Sequence, residues 1–105
     1  MKTISISELH DASKSLQSTD LILDVRTPLE FAQGHIPQSK NIPVDQVAHH
    51  ADELKKHSAV YIYCKVGGRA SVGYEILSSL GVKNIICVDD GGFPDWASSG
   101  YPVEK

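Results

Sequence analysis

The sequence predicts an α/β domain: a mostly parallel sheet of about five short strands, flanked by helices on both faces. Three observations lead there. Compact apolar runs recur at residues 21–25, 60–63 and 84–88, the pattern of strands covered on both sides. Stretches with helical spacing separate them, so strand and helix alternate along the chain. The segment Cys64-Lys65-Val66-Gly67-Gly68-Arg69 follows one of those runs and precedes a helix, a strand–loop–helix arrangement of the kind at which open α/β sheets place their sites.

Each element has a local reason. Residues 3–6 alternate like a short strand. Ser7 is the expected cap of a helix reaching about Gln17, with Glu8 and Asp11 in its first turn and Leu9, Ala12 and Leu16 at helical spacing. After the run 21–25, Thr27-Pro28-Leu29-Glu30 reads as a capping box with proline at the first helical position, and that helix ends near Gly34. Asn41-Ile42 before Pro43 suggests a very short strand, followed by a helical stretch over residues 44–56. The β-branched and aromatic run 60–63 is a second buried strand, and residues 64–68 form a loop. A helix over 69–80 carries Ala70, Tyr74, Leu77 and Leu80 on one side, with Gly81 placed to end it. Residues 84–88 are a third buried strand, Gly91-Gly92 a turn, and residues 94–98 a short last helix closing at Gly100.

The 105 residues suit one domain over positions 1–105, without internal repeat, linker or low-complexity segment. A chain of this size buries somewhat over ~60% of the surface its unfolded form exposes, enough for one core. Hydrophobic residues make up 41% and charged residues 22%, an ordinary globular balance. With a formal charge of −3, nothing global draws the protein to nucleic acid or an anionic membrane. No apolar run approaches the ~20 residues that cross a bilayer, and the N-terminus lacks the apolar core of a secretory signal, so a cytoplasmic location is expected. The two cysteines, Cys64 and Cys87, are not in CxxC spacing; neither a disulfide framework nor a structural zinc site is expected. His49, His50 and His57 fall on a polar stretch without a cysteine partner, so no metal and no cofactor are assigned.

Chemistry concentrates at Cys64. Gly67 and Gly68 let the backbone turn sharply and aim successive N–H groups at one centre, an anion nest. The positive end of the following helix adds to that field. Lys65 and Arg69 stand at the rim as full charges. All of these favour a negative group at the Cys64 sulfur, whether a thiolate, a sulfur-loaded persulfide or a departing thiolate. Cys87 lies inside Ile85-Ile86-Cys87-Val88 with none of this company and reads as core.

These residues carry a resemblance to the single-domain rhodanese family that covers nearly the whole chain. Asp24-Val25-Arg26 through Glu30, and Gly34-His35-Ile36-Pro37 through Asn41-Ile42-Pro43, look like the family's first signature. Cys64 to Arg69 is similar to its active-site loop, and Gly91-Gly92-Phe93 with Trp96, Gly100 and Pro102 to its closing segment. The resemblance implies a rhodanese-like three-layer sandwich and a sulfurtransferase of the thiosulfate:cyanide type. Cys64 would form the persulfide, and the backbone of Lys65, Val66, Gly67, Gly68 and Arg69 would hold the substrate sulfur. Sulfane sulfur would pass from thiosulfate or a persulfide to cyanide or a thiol acceptor; by analogy the acceptor is glutathione or a thioredoxin-like protein. Asp24, Arg26 and Glu30 are expected in one charged network tying the first loop to the sheet, His35 in a hydrogen-bonded turn, and Trp96 in packing of the last helix.

Three other readings share these residues. A related-fold phosphatase or arsenate reductase would use Cys-x5-Arg around a tetrahedral oxyanion, whereas here four residues separate Cys64 from Arg69, and Tyr63 stands where such phosphatases have histidine. A non-catalytic binding module would keep the fold without needing the nucleophile. A protein-to-protein sulfur carrier would use the same persulfide and differ only in its partners.

Overall fold

The computed structural model describes residues 1–105. Five strands, β1 (Thr3–Ile4), β2 (Asp20–Asp24), β3 (Ser39–Asn41), β4 (Ala59–Tyr63) and β5 (Ile85–Val88), form one sheet in the order β1-β5-β4-β2-β3. Every pairing is parallel. Five helices connect them: α1 (Ile6–Ser13), α2 (Pro28–Ala32), α3 (Ala51–Leu54), α4 (Gly68–Ser79) and α5 (Phe93–Ser98), with a 3₁₀ segment at Val44–His50 leading into α3. No helix is long and apolar enough to cross a membrane.

Alternation along the strands divides the core into two layers. Leu23, Val25, Val60, Ile62, Ile85 and Cys87 pack with Val47, Leu54, Ala70 and Leu77 on the α3–α4 face. Ile22, Tyr63 and Val88 pack with Ile6, Leu9, Ile36 and Trp96 on the α1–α5 face. Apolar burial on both faces of β2, β4 and β5 explains why these strands read as continuous apolar runs rather than as alternating ones. Helix α4 lies close on β4: a Cβ at Gly73 would stand 2.8 Å from Ile62 Cδ1.

The element boundaries depart from the sequence reading where side chains compete for the backbone. Helix α1 is capped by Ser5, not Ser7: Ser5 Oγ accepts from Glu8 N–H at 3.0 Å and the Glu8 carboxylate accepts from Ser5 N–H at 2.9 Å. The helix stops at Ser13, short of Gln17, because Ser13 Oγ donates to His10 O at 2.6 Å and the Asp20 carboxylate takes the Gln17 N–H at 3.1 Å. The Thr27–Glu30 box forms as read, with Pro28 at the helix start. Residues 44–56 are not one α-helix; Pro43, β-branched Val44 and Val47, and Asp45 leave a 3₁₀ segment before the short α3. Gly81, at φ +85°, ends α4 in a Schellman turn: Val82 N–H donates to Leu77 O at 3.0 Å and Gly81 N–H to Ser78 O at 3.1 Å.

Candidate active site

Cys64 is the first residue beyond β4 and Gly68 the first of α4, so the loop between them is three residues long. Gly67 turns it with φ +102°, a left-handed conformation that glycine reaches without a Cβ penalty. That turn swings the Gly67 N–H back onto the Cys64 sulfur at 3.0 Å, and the Ala70 N–H reaches the same sulfur at 3.3 Å. A helix start leaves its first N–H groups without an intrahelical acceptor. Here two of them converge on one sulfur, where they and the helix dipole stabilise negative charge.

The residues picked out by sequence divide in the structure. Of the five from Lys65 to Arg69, Gly67 alone donates to the sulfur; the second donor, Ala70, lies one residue beyond the motif. Lys65, Val66 and Gly68 are exposed at the loop's outer side, Val66 at 77%. Arg69 is not a free rim charge: its Nη1 and Nη2 meet the two Glu30 carboxylate oxygens at 2.6 and 2.9 Å. This fork-on-fork contact pushes the Glu30 carboxyl down to about 2 and raises the Arg69 guanidinium further.

Glu30 therefore leaves the network expected for it with Asp24 and Arg26. Those two pair alone in the interior: Arg26 Nη2 meets Asp24 Oδ2 at 2.7 Å, and Arg26 Nη2 also donates to Gly34 O at 2.7 Å. Asn41 Nδ2 ties the same segment by donating to Asp24 O at 3.0 Å and Arg26 O at 2.9 Å. The Arg26 guanidinium lies 4.5 Å from the centre of the Phe93 ring. His35 is a hydrogen-bonded turn residue, stacked on Phe31 with Nδ1 2.8 Å from Phe31 O. Trp96 is buried, its indole N–H donating to Pro102 O at 2.7 Å.

Sequence reasoning missed the support beneath the loop. Phe93 N–H donates to Cys64 O at 2.9 Å, and a Cβ at Gly92 would stand 2.2 Å from both Cys64 O and Lys65 O. Gly92 is thus the residue that lets the segment after β5 lie directly against the Cys64 loop. A cavity of about 190 Å³ opens beside this junction, lined by Arg26, Glu30, Gln33, Gly34, Lys65, Phe93 and Pro94. A second, of about 220 Å³ among His10, Lys14, Gln38 and Trp96, includes no residue of the loop.

A parallel five-stranded sheet covered on both faces, with a cysteine seated in the amides of a helix start, defines a class. Residues 5–99 match the family model described as a rhodanese-like domain, and the chain belongs to that family. A sulfurtransferase of Allochromatium vinosum is 31% identical over 102 residues, which cover 93% of this chain and 94% of that protein. Thiosulfate sulfurtransferase 16, a chloroplastic protein of Arabidopsis thaliana, is 29% identical over 120 residues, covering 97% and 92% of the two chains. The crystal structure of a rhodanese-related protein from Thermoplasma volcanium superposes with a TM-score of 0.84 at 33% identity, over 99% of this chain and 98% of that one.

Proposed function

We propose that the chain is a sulfurtransferase that carries one sulfur atom as a persulfide on Cys64. It takes sulfane sulfur from thiosulfate or a persulfide and passes it to cyanide or to a thiol such as glutathione or a thioredoxin-like protein. The observation that carries this reading is the convergence of the Gly67 and Ala70 N–H groups on the Cys64 sulfur. The family and the sulfurtransferases among the relatives support it.

The same two donors serve both halves of the cycle. In loading, the Cys64 thiolate attacks the donor's outer sulfur; a new S–S bond forms, and the old one breaks with its electron pair on the departing sulfite or thiolate. In unloading, the acceptor attacks the outer sulfur of the persulfide and the Cys64 thiolate leaves. Negative charge rests on the inner sulfur before the first step and returns to it in the second, where preorganised N–H groups are most effective. A phosphatase reading has less support. The arginine that would grip a tetrahedral oxyanion with two donors already makes that contact with Glu30.

Intact mass after incubation with excess thiosulfate, and again after cyanide, tests the cycle. The expected result is a gain of one sulfur atom that maps to Cys64 and is removed by cyanide. Folded, reduced protein that gains no sulfur from thiosulfate or from a small persulfide would overturn the reading in favour of a binding module.

A further inference from the structure

We infer that Glu30 sets the donor preference of this site: by neutralising Arg69 it disfavours a dianionic donor such as thiosulfate relative to a persulfide carrying at most one negative charge. The inference rests on the persulfide reading of Cys64 and adds a selectivity to it.

The charges around the loop carry the argument. Arg26 is engaged by Asp24 and Arg69 by Glu30, which leaves Lys65 as the one cation of the loop without an ion-pair partner. Asp89, Asp90 and Asp95, all exposed, lie on the segment that Phe93 N–H fastens to Cys64 O, with Asp90 Oδ1 accepting from Ile6 N–H at 2.9 Å. Asp95 accepts from Gly92 N–H at 2.9 Å, directly behind the loop. Carboxylates thus outnumber cations at this end of the sheet. The Glu30 carboxyl, held at about 2 by Arg69, stays charged throughout the neutral range.

The two donors place different charge in this field. Thiosulfate transfers its outer sulfur to the Cys64 thiolate and releases sulfite dianion, so three negative charges meet at the site. A persulfide anion transfers the same sulfur and releases one thiolate, so only two meet. One uncompensated unit charge about 8 Å from a dianion in water changes its binding about five- to ten-fold. Glu30 is the residue that decides whether Arg69 supplies that charge.

The test compares kcat/KM for thiosulfate and for 2-hydroxyethyl persulfide in the parent and in Glu30→Gln, with sulfur on Cys64 followed by mass. Glutamine can keep the capping role, since Glu and Gln both serve at that helix position. The expected result is a five- to ten-fold rise for thiosulfate, a change within about two-fold for the persulfide, and a thiosulfate gain that shrinks between about 20 mM and about 200 mM salt. An unchanged ratio between the donors in folded Glu30→Gln overturns the inference alone. If that variant does not fold, the parent decides: a thiosulfate rate flat or rising with salt supports the inference, and one falling steeply overturns it. Absence of sulfur on parent Cys64 with either donor overturns the persulfide reading and the inference with it.

Discussion

Cys64 and Cys87 lie on or just beyond adjacent strands, pack into the same apolar layer and are equally buried, each 1% exposed, yet their surroundings differ in kind. Cys87 sits inside β5, where its own N–H donates to Lys2 O at 2.9 Å as part of the sheet. No amide is free to face its thiol, and burial pushes that thiol up to about 11. Cys64 sits one residue past the end of β4, at the head of the short loop into α4, and two N–H groups meet its sulfur. Burial therefore does not distinguish the two sulfurs. What separates them is whether the neighbouring backbone is already committed to a ladder or still has donors to aim.

Replacing each sulfur with oxygen tests the contrast between the two cysteines most directly. Cys64→Ser is expected to abolish sulfur transfer, while Cys87→Ser keeps it within about two-fold and costs stability of about 1–3 kcal/mol for a buried hydroxyl. Steady-state rates with thermal melts on both variants check this. Equal losses of activity in two folded variants would end the distinction. Next in size is Gly92→Ala, which leaves both cysteines in place but puts a methyl 2.2 Å from the carbonyls of Cys64 and Lys65. The loop must move, and with it the two donors. A loss of about 100-fold in transfer is expected from a displacement near 1 Å, with about 1–3 kcal/mol of destabilisation from overpacking. A Gly92→Ala protein with full activity would mean that the amide geometry at Cys64 does not matter.

How much of this was legible before the fold depended on how far apart the partners lie in sequence. The buried strands announced themselves as apolar runs, and the Thr27–Glu30 cap as a local pattern four residues long. Ser5 and Glu8 show the same spacing, so the true start of α1 was readable too, although Ser7 competes for it in Ile4-Ser5-Ile6-Ser7-Glu8. Gly67 stood out because only a tight turn explains a glycine pair before a helix. Ala70 did not, since nothing in an alanine side chain advertises the amide beneath it. The Glu30–Arg69 pair spans 39 positions, and the Gly92 contact with Cys64 joins two loops that adjacency of β4 and β5 brings together. Such contacts follow from strand order, which no local pattern states. Arg69 therefore read as a free cation until the fold supplied its carboxylate.

The smallest effect concerns Cys87 alone and leaves catalysis at neutral pH untouched. Burial raises its thiol from the ordinary value of 9.0 to about 11. The folded state therefore keeps its proton over a range in which the unfolded chain loses it. The contribution to stability is fully present below pH 9.0 and disappears as pH climbs through about 11. Two pH units correspond to a loss of about 2–3 kcal/mol for a single group. Tyr61 and Tyr63, whose hydroxyls are also raised by burial, destabilise the fold over the upper part of that range. The informative quantity is thus a difference. Denaturant unfolding of the parent and of Cys87→Ser at several pH values should show the parent's advantage narrowing by about 2–3 kcal/mol as the thiol titrates. The tyrosines, present in both proteins, cancel. A constant gap across that window would place Cys87 in a polar setting that ionises easily, and the contrast with Cys64 would then have to rest on position in the fold rather than on backbone chemistry.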